Sequence, residues 1–135
     1  MNYYNEIREQ LINNEIYKKA KDYSKNKSDL NTYYNVGKLL IEAQGDEKRA
    51  KYGDSLIKAY SIKLTNEIGK GYSTRSLKQM RKFYLFSQKG QTLSAQLTWS
   101  HYTELLNIEN INKINYYIKI TSAQNLSVRE LRNKI

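Results

Sequence analysis

The chain has 135 residues, no cysteine, no proline and one histidine, and its 23 lysines and arginines face 13 aspartates and glutamates for a net charge of +10. This length suits one domain with its own core; the lack of cysteine excludes disulfide scaffolds, thiolate zinc sites and cysteine nucleophiles, and His101 alone builds no multi-histidine metal site. No apolar run approaches the ~20 residues that span a bilayer, and the opening MNYYNEIREQ lacks the basic-then-apolar order of a secretory signal, so a cytoplasmic protein with no membrane partner and no cofactor is expected.

Apolar residues recur at three- and four-residue spacing almost throughout and period-two alternation is scarce, which predicts an all-α fold, a compact multi-helix domain. Tyr4, Ile7 and Leu11 mark a first helix that fades into the polar stretch 18–27. That stretch is the expected boundary between an N-terminal helix with its connection, residues 1–27, and the main domain, residues 28–135. Ser28 or Asp29 is positioned to cap a second helix, whose inner face is Tyr33, Val36, Leu40 and Ala43 and which stops near Gly45. A third is expected from about residue 54, where Asp54 reads as a cap or dipole-compensating carboxylate, with Ile57, Tyr60, Leu64 and Ile68 on one side. Gly69 ends it, being suited to a left-handed conformation. Ser73 caps a fourth helix with Leu77, Met80 and Tyr84 inside. Trp99, Tyr102 and Leu106 define a fifth, capped by Thr98 or Ser100, and Ile111, Ile114 and Ile118 a sixth, capped by Asn110. The last opens on Ser127 and Glu130, an S-x-x-E capping box.

The charge is unevenly spread. Residues 1–47 carry −1 and residues 91–135 carry +2, whereas residues 48–90 hold 11 basic against 2 acidic side chains, +9. A localised positive field is the footprint of a surface that meets a polyanion, although a lysine-rich stretch also serves solubility. Within it, the third and fourth helices are joined by Gly69, Lys70, Gly71 and Tyr72, the length and punctuation of a helix-turn-helix. Projected at roughly 100° per residue from Leu77, Lys78, Lys82 and Arg75 fall roughly 100°, 140° and 160° away, on the outer side. In such a motif the second helix enters the major groove. Arg75, in its first turn, has the guanidinium for guanine and Gln79 the amide for adenine. Ser73, Thr74 and the free N–H groups of the helix start suit a phosphate, with Lys70 and the outer Lys78 and Lys82 on its neighbours and Tyr72 offered for stacking. The expected partner is duplex DNA.

Other constellations are weaker. Ser100 and His101 have no carboxylate placed to orient them as a triad, and the only D/E-x-K string, Asp46-Glu47-Lys48, falls in a polar connection rather than on a strand. Neither a catalytic nor a metal-ligating residue is assigned. The competing reading is a protein-interaction or dimerisation module, in which Leu85 and Phe86, both pointing away from the Leu77 face, join Trp99, His101 and Tyr102 against a second copy or another protein.

Three stretches, EKRAKYGDSLIKAYSIKLTNEIGKGYSTRSLKQMRKFY, QTLSAQLTWSHYTELLNI and LSVRELRNKI, follow in order and take in, with the region from Tyr34 onward, about three quarters of the chain. In them the chain resembles the N-terminal domain of the YhcG family, bacterial proteins whose full-length members carry a PD-(D/E)XK nuclease domain downstream. The resemblance implies a helix-turn-helix-like, DNA-binding, non-catalytic domain that works with a nuclease domain. It carries the turn and second helix onto Gly71, Tyr72, Ser73, Arg75, Leu77, Met80 and Arg81, and an aromatic motif onto Leu93, Ser94, Gln96, Leu97, Trp99, Ser100, His101 and Tyr102. Leu126 stands where the family often has Trp, and Ile114 where Arg is common.

Overall fold

The computed structural model, which describes residues 2–20, 25–89 and 97–135, is helical, and no strand occurs among the described residues. The helices are α1 (Tyr3–Ala20), α2 (Lys25–Gln44), α3 (Ala50–Glu67), α4 (Thr74–Gln88), α5 (Trp99–Leu105), α6 (Ile111–Gln124) and α7 (Val128–Lys134). No helix among the described residues is long and apolar enough to cross a membrane. The chain divides into two compact units, Met1–Leu85 and Phe86–Ile135.

Two helix starts differ from the expected ones. α2 begins at Lys25, so Ser28 and Asp29 lie inside it rather than at its cap. The Asp29 carboxylate instead accepts a hydrogen bond from Asn14 Nδ2 of α1 at 3.0 Å, in a buried pair. α3 begins at Ala50, directly after a 3₁₀ turn at Glu47–Arg49. That turn is capped by Asp46, whose Oδ1 accepts from the Lys48 amide at 2.8 Å. Asp54 therefore lies in the second turn of α3, beyond reach of the helix's free N–H groups.

In the first unit α1 packs against α2, burying Ile7 and Leu11 beside Val36 and Leu40, while Ile57, Leu64, Leu77, Met80 and Phe83 come in from α3 and α4. Gly37 is where α2 meets α4 backbone to backbone: a Cβ added there would lie 2.2 Å from the Met80 carbonyl oxygen. α3 ends where Ile68 and Gly69 both donate to the Leu64 carbonyl, at 2.8 and 3.3 Å, and Gly69 takes φ +138. That backbone region is open to glycine and strained for residues with a Cβ.

The second unit buries Leu97, Tyr102, Leu105, Leu106, Ile114, Ile118, Leu126 and Leu131. Its caps are those expected from sequence. Thr98 Oγ1 accepts from the His101 amide, Asn110 Oδ1 accepts from the amides of Asn112 and Lys113, and Ser127 and Glu130 exchange both bonds of a capping box. An exposed bidentate contact from Arg132 to Glu104 Oε1, at 3.0 and 2.6 Å, ties α7 to α5.

Candidate nucleic-acid interface

α4 starts at Thr74 because Ser73 caps it: Ser73 Oγ accepts from the Ser76 amide at 3.1 Å and donates to Ser76 Oγ, also at 3.1 Å. The amides of Thr74 and Arg75 are then the free donors of the first turn. Along α4, residues 75, 78, 79 and 82 share one face at i, i+3, i+4 and i+7, opposite the buried Leu77 and Met80. Arg75 and Lys82 are exposed there, as are Lys70 and Ser73 in the turn, while Thr74, Lys78 and Gln79 are half-buried.

Both acidic residues of the basic segment are already engaged. Glu67 pairs with Arg8 at 3.5 Å and accepts a hydrogen bond from Tyr4 Oη. Asp54 Oδ1 binds Arg81 at 2.7 Å, and its Oδ2 lies 3.9 Å from Lys78 Nζ. Among the described residues, Lys70, Arg75 and Lys82 make no ion pair.

Tyr72 does not join this surface. It is 5% exposed, with Oη donating to Glu15 Oε1 of α1 at 2.7 Å and its carbonyl accepting from Ser61 Oγ at 2.7 Å. Burial, the hydrogen bond to Glu15 and that residue's charge hold the phenol well above its ordinary pKa of 10.0. The ring is a core anchor of the turn, which removes it from any stacking role. Arg81 likewise turns inward: Nη1 donates to Gln44 Oε1 at 3.0 Å and Nη2 to Asp54. Sequence reasoning placed Asp54 at a cap and missed this linkage, whose members lie 27 and 37 residues apart and leave no periodic trace.

The residues offered for a protein interface separate in the same way. Phe86 is 4% exposed although it continues the outer face beyond Lys82, Tyr102 is fully buried, and His101 is 7% exposed. His101 Nδ1 accepts from the Thr98 amide at 3.0 Å, which leaves the ring proton on Nε2, 2.8 Å from the Leu126 carbonyl. Both nitrogens of this imidazole are occupied, one in the α5 cap and the other at the Leu126 carbonyl. Leu85 and Trp99 remain half-buried. Leu93, Ser94 and Gln96 of the aromatic motif lie outside the described residues. Among those residues no group of three or more His, Cys, Asp or Glu side chains is arranged to hold a metal ion.

The model of the family described as the DUF1016 N-terminal domain matches residues 6–135. The chain belongs to this family. Over 71 residues it is 45% identical to the Escherichia coli K12 protein named "Putative nuclease YhcG", a match that spans 50% of this chain and 19% of that protein. The resemblance in the GKGYSTRSLKQM and QTLSAQLTWSHY stretches is thus a family relationship, and the DUF1016 match takes in α4 and the helices of the second unit alike. No solved structure matches the chain.

Proposed function

We propose that this DUF1016 N-terminal domain is a non-catalytic module that binds duplex DNA through a helix-turn-helix-like arrangement of α3 and α4. The observation that carries the reading is the exposure of Lys70, Arg75 and Lys82, without ion-pair partners among the described residues, in a segment of charge +9 whose two carboxylates are engaged elsewhere. Lys70, Ser73 and the Thr74 and Arg75 amides then hold phosphates at the helix start, Lys82 holds one farther along, and Arg75 with Gln79 reads base edges. A relative carries the name "Putative nuclease YhcG", and this domain would direct an activity of that kind to its site.

Fluorescence anisotropy with labelled duplexes tests the reading. If about five phosphates are contacted, log K falls with log salt at a slope of about −4 to −5. Lys82→Ala weakens binding to every sequence alike, whereas Arg75→Ala costs ~1–3 kcal/mol at a preferred site and little elsewhere. Absence of binding at low salt, or an affinity indifferent to salt, refutes the proposal.

A further inference from the structure

Among the described residues, Asp54 is the carboxylate that pairs with cations of α4, and its surroundings hold it there. Arg81, 12% exposed in its side chain, reaches Asp54 Oδ1 at 2.7 Å with one guanidinium nitrogen and Gln44 Oε1 at 3.0 Å with another. Gln44 is itself 1% exposed and donates from Nε2 to the Asp46 carbonyl at 2.8 Å. The network closes over bare backbone at Gly53, where an added Cβ would lie 2.0 Å from Gln44 Oε1 and 2.8 Å from Arg81 Nη1. A carboxylate held by a largely buried guanidinium, whose other nitrogen is fixed on Gln44, is not a mobile surface charge. Its second oxygen lies 3.9 Å from Lys78 Nζ, with both side chains nearly half exposed.

We infer that Asp54 sets which cations of α4 meet the DNA, withdrawing Lys78 and Arg81 and leaving Arg75 and Lys82, with Lys70 of the turn, to face it. The inference rests on the DNA-binding reading above and deepens it. Salt dependence counts the cations that neutralise phosphates and so release counterions. Lys78 is already neutralised in part by a fixed carboxylate, and a phosphate that approaches it is also repelled by Asp54. Lys82, one turn along the same face, has no such partner among the described residues. The regularly spaced Arg75, Lys78 and Lys82 therefore act at their two ends, with an electrostatic gap between. The gap lowers affinity for arbitrary DNA and raises the share of binding that depends on base contacts.

The test is anisotropy on a duplex of about 20 base pairs across about 50 to 200 mM salt. Lys82→Ala is expected to reduce the magnitude of the salt slope by about 0.9, the contribution of one phosphate, and Lys78→Ala by less than about 0.3. Asp54→Asn, which keeps the side-chain shape, is expected to steepen the slope by about 0.9, and adding Lys78→Ala to it removes that gain. Equal slope losses from Lys78→Ala and Lys82→Ala overturn the inference while the DNA-binding reading stands. An Asp54→Asn chain that melts early by circular dichroism leaves the decision to that comparison of two surface lysines. A native chain that binds no duplex at low salt overturns the DNA-binding reading and this inference with it.

Discussion

Tyr72 shows how a single side chain changes role when its partner comes from far along the chain. It sits in the turn beside Lys70 and Ser73, yet its hydroxyl crosses to Glu15 of α1, 57 residues away, and its ring is buried. Tyr72→Phe keeps the ring and removes one hydrogen bond to a carboxylate, so urea denaturation near pH 8 should report a loss of about 1–2 kcal/mol. The phenol's pKa is raised on folding, so the folded chain keeps its proton where the unfolded chain, at about 10.0, gives it up. The stabilisation is thus complete below pH 10 and declines as pH rises above it, and the difference between the native and Phe chains should narrow over the same range. A difference that stays constant above pH 10 would show that Tyr72 titrates as an ordinary tyrosine.

At the scale of elements, α4 is held by the close approach of Gly37 to the Met80 carbonyl and by the Arg81 linkage to α3 and the end of α2. Gly37→Ala forces a Cβ into a backbone oxygen, which no rotamer change relieves. Separation of α2 and α4 should cost about 1–3 kcal/mol or more, measured as a fall in the urea midpoint at unchanged slope. A midpoint unaltered by Gly37→Ala would mean that the two helices are free to slide. Helix propensity alone predicts the opposite sign, since alanine is favoured over glycine by about 1 kcal/mol in a helix interior. The result therefore separates local preference from tertiary packing. The same reasoning explains the early start of α3: its 3₁₀ turn is capped by Asp46, and Gln44 Nε2 binds the Asp46 carbonyl, so the chain is already turned before Ala50.

For the whole molecule, the excess charge belongs to one segment while the opening 47 residues are close to neutral. Metal-assisted phosphodiester cleavage needs carboxylates converging on one ion. Here Asp46 caps a turn, Asp54 binds Arg81 and Glu67 pairs with Arg8. Supercoiled plasmid incubated with the purified chain and Mg²⁺ or Mn²⁺ should therefore remain uncut. Cleavage that vanishes in Asp46→Ala would overturn this expectation.

The sequence by itself determined the features that depend on neighbours three or four residues away. The all-α periodicity, the caps at Ser73, Thr98, Asn110 and Ser127, and the basic outer face of α4 were legible because donors, acceptors and side-chain faces repeat locally. Family membership was legible in the GKGYSTRSLKQM and QTLSAQLTWSHY strings. Only the tertiary structure decided what Asp29, Asp54, Tyr72, Arg81 and Phe86 do. Each of the first four forms bonds across 15 to 57 residues, and Phe86 lies on a face that helical projection turns outward yet is 4% exposed. A side chain's type limits the bonds it can make, but which partner it meets depends on how the helices pack. That is why the basic helix could be read from the sequence, whereas the division of its cations between exposed and inward-paired positions could not.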